Sequence, residues 1–138
     1  SLPASVEQIG DRCFCSTQNL REIEISPTNK KFKLIDGKYI VKESQAGSGI
    51  FDVIILASRD IESIRIPPHI KVINDFAFHY CKRLKTVTFE GNSSLESVKQ
   101  WAFASIAGPE RLVLPPSLKA ADDSSFGFIQ NTKSIEFQ

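Results

Sequence analysis

One pattern, repeated along the chain, restricts its fold more than any other feature. The segments LPASVEQIGDRCFCSTQNLREIEI, IPPHIKVINDFAFHYCKRLKTVTF and LPPSLKAADDSSFGFIQNTKSIEF, at residues 2–25, 66–89 and 114–137, align without gaps. A fourth copy, residues 89–114, fits when its first turn is two residues longer. A fixed period of this kind is the signature of a repeat architecture, in which each copy is one structural unit.

Within each copy, matching columns predict where the side chains point. A small residue precedes a phenylalanine in the middle of the copy, and two apolar residues separated by one position end it, as Val87 and Phe89 do. Alternation with period two indicates a short strand with one buried face, while the wider spacing before it suits a turn of helix. We therefore expect short helical or irregular turns opposite the sheet. We expect the phenylalanines to form a buried column: Phe14, Phe78, Phe103 and Phe126.

A unit of about 23 residues with one strand cannot bury its apolar face alone, so the copies must stack. The sequence therefore predicts a mixed, β-dominated solenoid of about five coils with a parallel sheet on its concave side. We expect a single domain over residues 1–138, with coils at 2–25, 61–89, 89–114 and 114–138. The proline after the strand lacks a backbone donor and ends it.

Residues 26–60 interrupt the repeat and predict an inserted three-stranded β meander. Asp36-Gly37 lies between two apolar runs, which is the strongest short signal for a hairpin. The three strands are expected at roughly 32–35, 39–43 and 52–56, in place of the convex part of one coil. A separate domain is disfavoured, because three short strands bury little surface alone.

The segments at 66–89 and 114–126 resemble the BspA-type leucine-rich repeat, whose pattern runs aliphatic-Pro, two residues, Val, two residues, Ile, then Ala-Phe, Cys, Leu and an alternating strand. The resemblance covers residues 2–25 and 61–138. It implies a leucine-rich repeat solenoid from a protein at the cell surface or outside the cell, associated with adhesion and protein binding. It supplies no catalytic residues.

Charge and hydropathy exclude two kinds of partner. Lysine and arginine total 17 against 16 acidic residues, so no overall field attracts nucleic acid. The longest apolar stretch, DVIILAS, has the length of a strand rather than the ~20 residues of a membrane span, so no membrane insertion by this segment is expected. The start at Ser1 shows no signal peptide, although a longer parent chain could carry one.

Titratable and nucleophilic side chains do not gather in any recognisable catalytic pattern. The chain has three cysteines and no Cys-x-x-Cys pair; Cys13 and Cys81 occupy interior columns, and Cys15 is expected to be more exposed. His69 and His79 have no traceable nucleophile or carboxylate partner. We therefore expect no enzyme, no catalytic residues, no metal site and no cofactor.

Outward-pointing strand positions are the candidate partner-binding site. Alternation places these residues on the exposed sheet face: Glu22, Glu24, Ser63, Arg65, Thr86, Thr88, Arg111, Val113, Ser134 and Glu136. Such a flat polar surface suits a protein or glycoconjugate, for instance a host-cell or matrix protein, better than a small molecule. Glu24 and Arg65 are expected to lie on adjacent strands and to pair.

Other interpretations of this surface stay open. The chain could be an intracellular protein-interaction scaffold, or a structural spacer that displays another region, or the face could simply be solvated. Both ends look like repeats rather than caps, since Leu2 and Phe137 occupy strand columns, which predicts a longer array and end-to-end self-association. Asn92-Ser93-Ser94 is an N-glycosylation sequon that matters only outside the cell.

Overall fold

The computed structural model describes residues 1–10 and 12–138 and shows a solenoid of β-strands and turns. No α-helix occurs in these residues, so of the two expected forms of the turns opposite the long strands, the irregular one is found. A two-residue strand precedes these turns, and its backbone donors bond to the adjacent coil instead of within the segment. The strands are β1 Phe32–Ile35, β2 Tyr39–Lys42, β3 Val53–Ala57, β4 Ser63–Ile66, β5 Val72–Ile73, β6 Thr86–Phe89, β7 Ser97–Val98, β8 Arg111–Leu114, β9 Ala120–Ala121 and β10 Ser134–Phe137.

The long strands β4, β6, β8 and β10 form one side of the solenoid, which we call the long-strand face. β4 pairs in parallel with β6, and β8 pairs in parallel with β10, as the repeat predicts. In β4 the alternation is complete, with Ser63 and Arg65 exposed and Ile64 and Ile66 buried. The parallel sheet is therefore confirmed, but it is interrupted, because β6 and β8 share no ladder. The first coil contributes a single parallel bridge, Leu2 with Ile25.

The short strands β5, β7 and β9 pair in parallel on the opposite side, and the inserted meander joins this row. Together they form a six-stranded sheet in the order β1-β2-β3-β5-β7-β9. The three meander strands match their predicted positions to within a residue at each end. Because β3 pairs with β5, the meander takes the place of the short strand that its coil lacks.

The hairpin between β1 and β2 forms at the predicted turn. Asp36 and Gly37 both have left-handed backbone, with φ of 52° and 66°. The Lys38 N–H donates to the Ile35 carbonyl at 2.8 Å and closes the turn. Asp and Gly tolerate positive φ better than other residues, which explains why this dipeptide predicts the turn.

Both faces of the meander are buried, and they separate two parts of the core. Tyr39 and Ile54 pack among the later coils, whereas Ile40 and Leu56 on the opposite face pack against the interior of the first coil. Every residue of β3 is buried. A strand covered on both sides is expected to be a continuous apolar run, and this explains why VIILA does not alternate.

The phenylalanine column is buried at the centre of the stack. Phe78 and Phe103 are 0% and 1% exposed, and their rings are stacked with centroids 4.9 Å apart. Phe126 continues the stack at 5.8 Å from Phe103. Phe14 and Phe126 are half-buried because they belong to the outer coils.

Around the phenylalanines, tight turns form a further set of hydrogen bonds between coils. The Phe78 N–H donates to the Ala102 carbonyl at 2.8 Å, and the Phe103 N–H donates to the Ser125 carbonyl at 2.8 Å. These turns require left-handed backbone at Phe76, Tyr80, Trp101, Ser105, Ser124 and Phe128. Left-handed backbone is unfavourable for bulky residues, so the hydrogen bonds between coils must hold these residues in that conformation.

In the coil that contains the meander, hydrogen bonds of the Arg59 side chain replace those that this turn makes in the other coils. This side chain is buried between the first coil and the coil that contains β5 and β6. The guanidinium donates to the carbonyls of Phe14, Thr17 and Ala77 at 3.2, 3.3 and 3.0 Å. A further contact at 3.9 Å reaches Cys81 Sγ. Burial lowers the pKa of Arg59. The arginine thus bonds the two coils together where the backbone ladder is absent.

The cysteines follow their repeat columns only in part. Cys81 is buried as expected, and burial raises its thiol pKa to about 11. Cys13 is exposed, so its expected core position is wrong. Its counterparts Ala77 and Ala102 are covered by the turn of a neighbouring coil, and the coil after Cys13 lacks that turn. Cys15 is half-buried.

Candidate functional site

The ten side chains predicted to point outward do lie on the solvent side of the solenoid. Val113 and Glu136 are half-buried, and these residues are exposed: Glu22, Glu24, Ser63, Arg65, Thr86, Thr88, Arg111 and Ser134. The strand pairing places those of β4 and β6 side by side, and likewise those of β8 and β10. Their role in binding stays a prediction.

Arg111 and Glu136 form a two-pronged ion pair on this face. Arg111 Nε and Nη2 each lie 2.5 Å from a carboxylate oxygen of Glu136, across the β8–β10 pair. Their mutual hydrogen bond raises the pKa of Arg111 and lowers the pKa of Glu136. Because 64% of the Arg111 side chain and 43% of the Glu136 side chain remain accessible to solvent, the pair orients the arginine more than it stabilises the fold.

Arg65 does not pair with Glu24, so that expectation is wrong. Its Nε instead lies 3.0 Å from Glu90 Oε1, just beyond the end of β6. The first coil and β4 share no ladder among the described residues; instead the Ser58 hydroxyl donates to the Arg21 carbonyl and the Arg59 N–H donates to the Leu20 carbonyl. Within the described residues Glu24 forms no ion pair, and with Glu22 it makes the first-coil end of the face acidic.

A cleft of about 520 Å³ opens where β6 and β8 fail to pair, and we call it the β6–β8 cleft. The two strand edges and the segments that follow them line it: Val87, Thr88, Phe89, Glu90, Gly91, Asn92, Ser93, Arg111, Val113, Pro115, Pro116, Ser117 and Gln138. It therefore includes the centre of the candidate binding face. Sequence reasoning identified Thr88, Arg111 and Val113 but not the cleft.

The longer first turn of the fourth repeat copy explains the opening. Residues 90–94 leave β6, and the Ser94 N–H returns to the Pro68 carbonyl at 2.8 Å. Before β8, the Gly108 N–H bonds to the Leu84 carbonyl at 2.8 Å, in left-handed backbone of φ 79°. The coils thus stay joined at the start of the strands and separate toward their ends. The extra turn residues were the sequence signal that could have revealed this.

The histidine in the middle of the chain, His79, contacts the backbone of the first coil. His79 is buried and its Nδ1 lies 3.3 Å from the Cys15 carbonyl; burial lowers its pKa. Across residues 1–10 and 12–138, no three His, Cys, Asp or Glu side chains come together in a group able to hold a metal ion. In the same part of the chain, no helix has the length and hydropathy needed to cross a membrane.

Comparison with known proteins agrees with the repeat architecture. The model of the BspA type leucine rich repeat region matches the chain in six copies, over residues 1–35 and 55–138. No curated protein sequence matches it.

Two solved structures are similar. The pneumococcal vaccine antigen PcpA has 30% identity and a TM-score of 0.55 over 57% of this chain, which spans only 20% of the PcpA chain. A leucine-rich repeat protein from Bacteroides capillosus has 14% identity and a TM-score of 0.58, covering 79% of this chain and 99% of that one, and shows the shared fold alone.

Proposed function

Because the chain belongs to the BspA-type leucine-rich repeat family, we propose that it is a non-catalytic module that binds a macromolecular partner through the long-strand face. Repeat proteins of this kind generally act by protein interaction. The observation that carries the proposal is the row of outward side chains held in register by parallel strand pairs. A rigid row of this kind lets many weak contacts add over an extended area.

The chemistry of the face favours a protein or a glycoconjugate. Thr86 and Thr88 supply hydroxyl groups, and Arg111 supplies a guanidinium whose orientation Glu136 holds before a partner arrives. Ordering in advance lowers the entropy lost on binding, and arginine is enriched among the residues that dominate interface energies. Arg111 is therefore the proposed anchor.

We also propose that the module acts at the cell surface or outside the cell, in adhesion. The family supports this, as does the description of one structural neighbour as a vaccine antigen. Asn92 is exposed at the rim of the β6–β8 cleft, where a secreted chain could carry a glycan. An intracellular scaffold and a structural spacer are the competing functions.

The test changes the anchor without touching the core. Arg111→Glu and Thr88→Trp are compared with Lys82→Glu, which makes the same charge change in an exposed turn away from the face. Binding to cultured host cells and to immobilised matrix proteins such as fibronectin should weaken about tenfold or more in the first two variants only. If both fold normally and bind as the unmutated chain does, the face is not the binding site and the spacer function takes its place.

A further inference from the structure

The edge of β6 that faces β8 has no ladder partner. On the other side of β6, the Thr86 N–H donates to the Glu62 carbonyl at 3.3 Å and the Glu90 N–H donates to the Ile66 carbonyl at 3.1 Å. Backbone groups alternate in direction along a strand, so the N–H and C=O groups of the residues between, Val87 and Phe89, point toward β8.

The same reasoning applies to β8. Its far side is used by β10, since the Ser134 N–H donates to the Glu110 carbonyl and the Gln138 N–H donates to the Leu114 carbonyl, both at 3.3 Å. The backbone groups of Arg111 and Val113 therefore point back toward β6. The β6–β8 cleft is thus bordered by two strand edges that no ladder joins.

The cleft also reaches the hydrophobic core. Phe89 belongs to the interior column whose neighbours Ile66 and Leu114 are 0% exposed, yet Phe89 itself is only half-buried. Its position is internal to the stack, so the opening of the cleft accounts for its exposure. Ser117 also lines the cleft, and its buried hydroxyl has no hydrogen-bond partner among the residues that the structure describes. The cleft therefore combines an apolar floor with unused polar groups.

Charge restricts what the cleft can hold. Its acidic lining residue, Glu90, is paired with Arg65, and its basic one, Arg111, is paired with Glu136. The lining is therefore close to neutral as a whole. A polyanion or a strongly charged peptide would have to break these pairs without a compensating excess of charge, whereas an uncharged segment leaves them intact.

We propose that the β6–β8 cleft receives an extended, uncharged peptide segment of a partner protein. The start of the cleft is too narrow for a strand, because the Gly108 N–H joins the two coils there. The peptide backbone therefore bonds to the free strand edges at the open end, at Phe89 and Val113, and one of its apolar side chains contacts Phe89, which is recognition by strand addition. This inference rests on the proposed function, and it narrows the partner of the long-strand face to a protein with an accessible linear segment.

A tryptophan at Gly91 provides a way to block the cleft. Gly91 lines it, its φ is not left-handed, and a Cβ built there meets no atom within 4 Å, so Gly91→Trp should fold normally. Lys82→Trp is the matched control, because it places the same side chain in an exposed turn outside both the cleft and the long-strand face. The probe is a phage-displayed library of random linear peptides, selected on the unmutated chain.

Selected peptides should be uncharged, and Gly91→Trp should weaken their binding at least about tenfold while Lys82→Trp leaves it within about twofold. Added peptide should slow hydrogen exchange at the Phe89 and Val113 amides. If no peptide is enriched, if Gly91→Trp binds like the unmutated chain, or if the cleft takes glycans instead, the inference is overturned. If the inference fails in this way, the proposed function still stands provided that Arg111→Glu loses binding to fibronectin or to cells while Gly91→Trp retains it.

Discussion

Phe78 shows what a single repeat position contributes. Its ring is fully buried and stacked on Phe103, so truncation would leave a cavity that the rigid coils on both sides cannot close. Phe78→Ala should lower the free energy of unfolding by about 3 to 5 kcal/mol, measured by urea denaturation. Phe128→Ala is the control, because that ring is 75% exposed. Similar losses of unfolding free energy in the two variants would contradict the buried phenylalanine column.

Asp52 makes the free energy of unfolding depend on pH in the acidic range. Burial alone would raise its pKa, but hydrogen bonds from the Ser44 hydroxyl and N–H, both at 2.8 Å, and the Lys71 charge at 3.7 Å lower it on balance. The unfolded chain therefore binds the proton more tightly than the folded chain. The carboxylate stabilises the fold above its usual pKa of 3.8, and this contribution is lost as the pH falls through the lowered value.

The measurement for Asp52 is the free energy of unfolding as a function of pH. In the unmutated chain it should decline below about pH 4, and in Asp52→Asn the decline should be shallower, because that variant has no proton to bind there. Ser44→Ala should give an intermediate slope. If the free energy of unfolding falls equally steeply with pH in all three chains, Asp52 is not the cause of the acid sensitivity.

At the scale of elements, the turn before β8 depends on a glycine. Gly108 has φ of 79°, and a Cβ there would overlap Cγ2 of Ile129 and lie 2.6 Å from Oγ1 of Thr132. Gly47 has a similar φ of 81° with open space around it. Gly47→Ala should therefore cost only the backbone strain, about 1 to 2 kcal/mol. Gly108→Ala should cost about 1 to 3 kcal/mol more, from overpacking.

Thermal and urea unfolding of both glycine variants would measure this difference. Gly108→Ala should also change the amide spectrum of β8 and its neighbours, whereas the effects of Gly47→Ala should stay within its own loop. If the two substitutions are equally costly, Ile129 and Thr132 can move aside and the turn is not sterically fixed.

The elements that the sequence predicts are those whose signals are local or periodic. Asp36-Gly37 specifies its turn by backbone preference, and Val87 and Phe89 specify a strand by alternation. Periodicity identifies which side chain faces inward but not whether two strands come close enough to pair. The separation of β6 from β8 coincides with the longer turn at 90–94, where the Ser94 N–H bonds to the carbonyl of Pro68, a residue distant in sequence.

Positions without a repeat counterpart were equally difficult to predict. Arg59 is a charged residue that the hydropathy pattern places in solvent, and only the missing turn of its coil creates a buried site in which three carbonyls accept from its guanidinium. Cys13 is exposed for the same reason, since the turn that would cover it is absent. The outward positions of the candidate site were predictable because alternation alone determines them.

The whole molecule consists of two core clusters joined by the meander. β3 contributes Ile54 to one cluster and Leu56 to the other, so the meander is a shared wall between the first coil and the later ones. Arg59 crosses the same boundary with its hydrogen bonds. The acidic first-coil end of the long-strand face is therefore held to the rest through the insert and not through a continuous sheet.

The last coil exposes side chains that earlier coils bury. Phe137 and Ile135 are 71% and 39% exposed, whereas their counterparts Leu114 and Leu112 are 0% and 1% exposed under the coil that follows. Phe128 adds another exposed ring. Uncovered coil faces and open strand edges promote association, so we expect the 138-residue polypeptide to self-associate end to end through this face as its concentration rises.

Sedimentation velocity over a concentration series tests the association. Phe137→Glu should shift the equilibrium toward the monomer, because two such faces would bring buried like charges together. Ile50→Glu is the control, since Ile50 is 52% exposed but lies in the loop before β3, away from the last coil. A chain that stays monomeric throughout the series, or one in which the two substitutions act alike, would show that this face does not mediate self-association.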